Sequence, residues 1–292
     1  MTVIMPVHNG KATIARAIES VLSQTWRNYE LIVVDDGSTD RTRDVVANYD
    51  VRLFAQPHRG VYAARNFGVQ QARGELIAFI DADDAWLPDR LASQLPLMQR
   101  EEVGLVFGDV SHVTAGGQGG KMSSFRVAPP QRGRAADAMV KCNFVPTITV
   151  LVRRRCLDEI GGFADTMPLS ADYLAWFRIA LRHEIDYVDR PVALYSVRPG
   201  SLSFDLGNAI EARIRLFSDH LSRTTDRAER ALLRRLLFNL SLQLALAAIR
   251  GRARSIVHPL LLAWRMAGLH AAPWTAAFAL HHLRVRGRRL FA

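Results

Sequence analysis

Asp81 and Asp83 are the side chains of this chain best placed to do chemistry. They lie in the run Leu76-Ile77-Ala78-Phe79-Ile80-Asp81-Ala82-Asp83-Asp84. The apolar residues Leu76–Ile80 read as a buried strand that ends directly in three acids. Two carboxylates two residues apart, at the mouth of a strand in an α/β sheet, suit a hard divalent cation bridging to a diphosphate. A D-x-D alone is a weak signal, because acidic loops are common and most are simply solvated. Its meaning depends on the elements that must position it.

Those elements alternate. Val3-Ile4-Met5-Pro6-Val7 is a short apolar strand that runs into the turn-like His8-Asn9-Gly10. Ile14, Ala17, Ile18, Val21 and Leu22 follow at helical spacing. Leu31–Val34 is a second buried strand leading into Asp35-Asp36-Gly37-Ser38, where Ser38 or Thr39 is expected to cap a helix beginning near Asp40. Residues 51–54 read as a third strand and 60–72 as a third helix, and the strand before Asp81 is the fourth. Strands alternating with helices imply a parallel sheet covered on both faces, and such sheets bind ligands at the carboxyl ends of their strands. Asn9, Asp36 and Asp81 all fall on that edge.

In sequence, the blocks are Met5–Gly10, Ala17–Thr25, Glu30–Asp40, Ala64–Gly68 and Arg73–Asp84. Together they resemble the family 2 glycosyltransferases of the GT-A fold. The likeness continues less tightly through Val103–Asp109 and Gly161-Gly162-Phe163 to Tyr195. The resemblance implies a Rossmann-like, mixed but mostly parallel sheet flanked by helices. It further implies a nucleotide-diphosphate sugar donor with UDP as the expected nucleotide, a Mg²⁺ or Mn²⁺ ion, and inversion at the anomeric carbon. The acceptor would be a hydroxyl of a glycan or lipid-linked molecule in surface glycan or glycolipid synthesis. On the same ground, Pro6 and Asp36 match positions that hold the base and ribose. His8, Asn9, Arg65 and Ala82 belong to the same donor pocket. Asp81 matches the ribose-side acid and Asp83 the metal ligand. His8 departs from the family, which often has a Tyr stacked on the base at this place. An imidazole can stack there too.

The segment Pro168-Leu169-Ser170-Ala171-Asp172-Tyr173-Leu174 resembles the family's Glu-Asp-Tyr block, in which the Asp is the general base. Asp172 is kept, while Ala171 and Leu174 stand where the family has acids. An acid at a helix start also has a plain structural use, since it caps the helix and favours the macrodipole.

Composition adds bounds. The 292 residues are 49% hydrophobic, enough for one large domain and an extension. Cys142 and Cys156 are too few for a disulfide scaffold and read as buried thiols. No basic and then apolar leader precedes the first strand, so the expected location is the cytoplasm. Residues 206–292 hold 15 of the 38 basic residues and four of the 28 acids, a net of +11 against −1 for the rest. Leu232, Leu233, Leu236, Leu237, Leu240, Leu244 and Ala247 follow helical spacing there, with Arg230 and Arg234 off the stripe. Ile256–Trp264 and Ala271–Leu280 are apolar but too short to span a bilayer, and Pro259 and Pro273 break helices near them. The expected organisation is a GT-A-like domain over 1–205 and a basic, mostly helical extension over 206–292. That extension either attaches peripherally to an anionic membrane surface or packs as a subdomain. No motif supports a nucleic-acid partner.

Other features carry less. Gly116–Met122 lacks both the first glycine and the Ser/Thr of a phosphate loop. His281-His282 would point apart on a helix. Residues 111–145, rich in Gly, Pro, Ser and Arg, read as a mobile loop over the acceptor side. Two rivals remain open from the sequence. One is an inactive GT-A module that binds nucleotide or glycan in an assembly complex. The other is a nucleotidyltransferase, though His8-Asn9-Gly10-Lys11 is not its phosphate loop.

Overall fold

The computed structural model describes residues 1–114, 119–165, 169–197 and 206–249. Thr2–Val7 forms β1, buried at every position, as expected of a central strand with both faces covered. β2 (Glu30–Asp36) pairs with it in parallel on one side and β3 (Arg52–Gln56) extends that side, while β4 (Leu76–Phe79) pairs in parallel on the other. The chain reverses its direction of sheet growth between β1 and β4, which makes the carboxyl ends of these strands the natural crevice. β5 (Ala85–Trp86), β6 (Val103–Thr114), β7 (Gly119–Ser123), β8 (Leu151–Arg153) and β9 (Glu184–Val197) complete the sheet. Among the described residues the strand order is β3-β2-β1-β4-β8-β6-β9-β5, with β7 on β6. Pairing with β8 is antiparallel, but β6 and β9 run parallel from Val103↔Glu184 to Thr114↔Val197, so most of the paired length is parallel.

The period-two alternation of the strands sorts their side chains to two faces. Val3, Met5 and Val7 pack with Leu31, Val33 and the Ile14, Ala17, Ile18 and Val21 stripe of α1 (Ile14–Leu22). Ile32 and Val34 face the other way, onto Ala64 of α3 (Val61–Gln71), with Phe54 and Phe67 against them. Between these, α2 (Thr42–Val46) is capped differently from expectation. The Asp40 carboxylate accepts the Thr42 N–H at 3.0 Å, whereas the Ser38 hydroxyl accepts the Asn9 N–H at 2.9 Å. Asn9 draws the loop to itself and leaves Asp40 beside the helix start.

The loop expected over 111–145 is largely ordered where described. β6 runs through Thr114 because β9 pairs with it throughout, and β7, α5 (Ser124–Val127) and α6 (Ala136–Met139) follow. Residues 115–118, within the weak glycine motif, lie outside the described residues. α4 (Arg90–Gln94), α7 (Arg154–Glu159) and α8 (Ala171–Arg182) complete this part of the chain. Cys156 is buried and Cys142 half-buried, both free, and burial pushes each thiol up to about 11.

Contacts divide the chain into two units. The first holds 1–135 and 143–199, and the second holds 136–142 with the described residues beyond 200. In the second, α9 (Leu206–Arg223) and α10 (Arg227–Ile249) meet at a turn where Asp226 accepts the Glu229 N–H at 2.7 Å. Leu233, Leu236, Leu237, Leu240, Leu244 and Ala247 of the predicted stripe are buried, and Leu232 is half-buried. Arg234 is exposed, while Arg230 donates to the Leu221 and Thr224 carbonyls at the end of α9. Asn239 of α10 donates to the Val140 carbonyl, fixing 136–142 to the helix. No described helix is long and apolar enough to cross a membrane. The segments 256–264 and 271–280, Pro259, Pro273 and His281-His282 lie outside the described residues.

The approach of α3 to β1 depends on Gly68, since a Cβ there would sit 2.5 Å from Cγ2 of fully buried Ile4. Ile4 is β-branched and has little rotameric freedom to yield. Gly68→Ala should therefore cost about 1–3 kcal/mol, the range for overpacking a filled core, despite the better helix propensity of alanine. Chemical denaturation checks this, and an unchanged or higher midpoint would contradict the packing argument.

Candidate active site

Polar groups leave the ends of β1, β2 and β4 side by side. Asp36 closes β2 at 2% exposure, where a bare carboxylate would be costly. Its donors are the backbone N–H groups of Arg59 and Gly60 at 2.9 and 2.8 Å, the Gln56 amide at 2.7 Å and His58 Nδ1 at 2.8 Å. Burial works to raise its pKa, but these donors outweigh burial and hold the carboxyl below the usual carboxylate range. Gly60 presents its N–H with φ 91°, a left-handed backbone that glycine adopts without strain. The Asp36 carbonyl accepts from His8 Nδ1 at 2.8 Å and from His58 Nδ1 at 3.1 Å, and the two imidazoles lie 4.1 Å apart between centroids. Asn9 takes a φ of 53°, which Asn tolerates. Its Oδ1 accepts the Thr39 and Asp40 N–H groups at 2.8 and 3.3 Å, and its Nδ2 donates to His8 Nε2 at 3.1 Å. Asn9 thus orients His8 and fastens the loop after β1 to the loop after β2. Pro6 is buried in β1 opposite Val34.

Asp81 follows Ile80, whose N–H still pairs with the Ile4 carbonyl. Its Oδ1 accepts Arg65 Nη2 at 2.6 Å. The Arg65 side chain is only 4% exposed, and its buried Nε has no hydrogen-bond partner. Burial is the largest influence and disfavours this cation, yet the charge and hydrogen bond of Asp81, with the other groups around Arg65, together outweigh it and raise its pKa. Ala82 puts its methyl into the core beside Val7, leaving its backbone to face the crevice. The turn is braced at Asp83, whose carbonyl accepts from Arg16 Nη2 at 2.5 Å and from the Ser196 hydroxyl at 2.6 Å. Asp84 is 1% exposed. Its Oδ1 accepts the Ser196 N–H at 2.8 Å, while its buried Oδ2 has no hydrogen-bond partner. Burial first, then the charges of Asp81 and Asp83, push this carboxyl well above the usual range.

Asp172 stands in the first turn of α8, with its Oδ1 on the Tyr173 N–H at 2.9 Å. The same carboxylate receives the Tyr62 hydroxyl at 3.2 Å and the Thr147 hydroxyl at 2.7 Å. Trp176 Nε1 donates in turn to the Thr147 oxygen at 3.2 Å. Burial, and then the Asp172 charge, push the Tyr62 phenol well above its usual range, so it remains a neutral donor. Arg65 lies 5.4 Å from the centroid of the Tyr62 ring, three residues back on the same face of α3. A continuous chain of contacts therefore runs Asp81–Arg65–Tyr62–Asp172. Ala171 and Leu174 are 1% and 6% exposed, so acids at those places would be buried in the packing of α8.

The structure thus joins Asp81, Arg65 and Asp172, and separately clusters His8, Asn9 and Asp36. Sequence reasoning missed His58, Gln56, Tyr62, Thr147 and Ser196. The i, i+3 spacing of Tyr62 and Arg65 is a signal that could have found one of them.

A mixed sheet in this order, with an acidic turn at the carboxyl end of β4 and helices on both faces, makes this chain a glycosyltransferase of the GT-A fold. It belongs to glycosyl transferase family 2, whose family model matches residues 2–161. WfgD of Escherichia coli, a UDP-Glc:alpha-D-GlcNAc-diphosphoundecaprenol beta-1,3-glucosyltransferase, is 29% identical over 193 residues, 65% of this chain and 73% of its own. An uncharacterized glycosyltransferase of Rickettsia felis is 29% identical over 61% of this chain but only 31% of its own length. Among solved structures, residues 1–349 of S. aureus TarS with UDP superpose with a TM-score of 0.62 at 19% identity, covering 82% of this chain and 70% of that one. The mannosyltransferase PcManGT of Pyrobaculum calidifontis, with GDP-Man and Mn²⁺, gives 0.62 at 20% identity over 99% and 86%. At these identities the structures speak for the fold alone.

The state of Asp36 makes a prediction about pH. Because its folded pKa is depressed, its charge stabilises the fold above the unfolded value of about 3.9, and this contribution is lost as pH falls through the lower folded value. Asp36→Asn should lower stability at neutral pH by about 1–3 kcal/mol, as one acceptor facing buried donors becomes a donor itself. It should also flatten the loss of stability below about pH 4. Denaturation midpoints across pH check both, and parallel curves for the two proteins would contradict the assignment.

Proposed function

We propose that this chain transfers a sugar, with inversion, from a nucleotide-diphosphate sugar to a hydroxyl of a glycan or lipid-linked acceptor in surface glycan or glycolipid synthesis. The observation that carries the reading is the Asp81–Arg65–Tyr62–Asp172 chain, which links a donor-side acid to a hydrogen-bonded base candidate. UDP is the nucleotide in keeping with the UDP-Glc in the name of WfgD and the UDP bound to TarS. The diphosphoundecaprenol in the name of WfgD supports a lipid-linked acceptor.

In this reading the His8–His58 pair and Asp36 form the wall against which the base and ribose lie, with Pro6, Asn9 and Ala82 shaping it. Asp172 accepts the proton of the acceptor hydroxyl as that oxygen attacks the anomeric carbon. Tyr62 and Thr147 hold its carboxylate in place, and Arg65 pairs with Asp81. Among the described residues, no group of three or more His, Cys, Asp or Glu is gathered around a metal position. The residues still fit Mg²⁺ or Mn²⁺, which use one or two carboxylates and leave the other positions to phosphate and water. Asp83 would hold the ion beside Asp81, and the unpartnered Oδ2 of Asp84 marks a turn with oxygen capacity to spare. When bound, the metal neutralises the charge that develops on the leaving diphosphate. The proposed organisation is a catalytic domain over about 1–205 and a basic, mostly helical extension over 206–292 that rests on anionic membrane from the cytoplasmic side.

Two variants test the chemistry. Asp172→Asn keeps an oxygen for the Tyr173 N–H and leaves the donor contacts alone, so nucleotide binding should survive while transfer falls by about 10²–10⁴-fold. Asp83→Ala should abolish the gain in UDP affinity that Mg²⁺ or Mn²⁺ confers in calorimetry. Wild-type turnover in the first, or equal metal-dependent affinity in the second, would remove the residue from its role. Membrane attachment is read by flotation with the full chain and with a chain ending at residue 249, which lacks the eight arginines beyond it. With about 1 kcal/mol from each basic residue near an anionic surface, the shorter chain should bind anionic vesicles far more weakly. Equal flotation of both, or equal binding to neutral vesicles, would count against the extension as an anchor.

A further inference from the structure

At the opposite edge of the sheet, four arginines line a cavity of about 390 Å³, within the range of small-ligand pockets. Topology gathers them. Arg73 leads into β4, and Arg153 ends the antiparallel β8, where it registers with Leu76. Arg154 and Arg155 follow at once in α7. The cavity lies about 20 Å along β4 from the Asp81 turn, given the rise of a strand over six residues.

The guanidinium groups are held by partners that leave their charge intact. Arg153 donates to the carbonyls of Val103, Met98 and Arg100 at 2.9, 2.6 and 3.0 Å. Arg154 donates to the Ala72 carbonyl at 2.7 Å and Arg155 to that of Glu101 at 2.9 Å. The Arg73 side chain makes no hydrogen bond or ion pair with a described residue. Two acids share the lining, Glu75 and Asp158. The latter is 62% exposed and stands 3.8 Å from Arg154. The lining therefore keeps a surplus of two positive charges. Gly74 lets the backbone close one side, since a Cβ there would lie 2.5 Å from the Met1 backbone. Guanidinium forks with unspent N–H donors recognise tetrahedral oxyanions, and the prior fixing of Arg153, Arg154 and Arg155 lowers the entropy lost on binding.

We propose that this cavity is a second anion site, separate from the donor site, that binds a phosphate group either as free phosphate or diphosphate or as the headgroup of an anionic lipid. It depends on neither the Asp172 nor the Asp83 assignment.

The test compares the full chain with an Arg73→Ala, Arg155→Ala double variant, since both side chains are exposed and the pair gives up a single hydrogen bond, from Arg155 to the Glu101 carbonyl. The probes are inorganic pyrophosphate in EDTA, read by calorimetry, and vesicles of phosphatidylcholine with or without phosphatidylglycerol, read by flotation. Each arginine should contribute about fivefold in affinity, the equivalent of about 1 kcal/mol. Unchanged donor-sugar hydrolysis and melting temperature would establish that the variant is folded. Loss of pyrophosphate binding with flotation intact supports the site and assigns free phosphate as its source. Loss of flotation to phosphatidylglycerol supports it and assigns the headgroup. Wild-type behaviour with both probes, or no binding of either by the wild-type chain, overturns the proposal.

Discussion

The site is organised around one buried cation. Arg65 has almost no access to water, so its charge must be compensated inside the protein, and Asp81 does this directly. Losing Asp81 would leave a buried cation without its charge partner, so the pair fixes where β4 must end relative to α3. Tyr62, one helical turn earlier on that face, then carries the same register to Asp172. A requirement of desolvation thus sets the relation between Asp81 and Asp172 of α8.

The polar groups at the carboxyl ends of β1, β2 and β4 are of two kinds. Asp36 and Asn9 have their hydrogen-bonding capacity taken up by the protein itself, through backbone N–H groups, His58 and the loop after β2. They make a rigid wall. Asp84 is the opposite case, with one oxygen on Ser196 and the other buried without a partner, in the field of two neighbouring carboxylates. Rigidity is concentrated at the end of β2, and unspent capacity at the turn after β4.

What could be read in the sequence was local. The buried runs of β1, β2 and β4 and the acids at their ends follow from periodicity and turn chemistry alone, and the five family blocks fall on those strands and on α1 and α3. The rest depended on pairings far apart in the chain. Ser196 reaches the Asp83–Asp84 turn across more than a hundred residues, and Thr147 meets Asp172 only because a short turn before β8 passes beneath α8. The stretch 111–145 has the composition of a loop, but the length of β6 is decided by β9, some eighty residues away. The cap of α2 was misjudged for a similar reason. Asn9 competes for Ser38 and Thr39, and that competition is invisible until β1 and β2 lie side by side.

The distant pairing of β6 with β9 also bears on how the chain is made. The parallel half of the sheet, β1 to β4, needs nothing beyond about residue 80. Its neighbour β8 follows about 70 residues later, and the β6–β9 pair is complete only at Val197, about 120 residues later. At about 5–20 residues per second this is an interval of roughly 6–24 s of synthesis. During that time the nascent chain carries its acidic turn without Ser196, and for the first part of it the edge of β4 without β8. An exposed strand edge is a template for wrong pairing. The long-range strand pair that completes the crevice therefore also sets the period in which the growing protein is most exposed to misassembly.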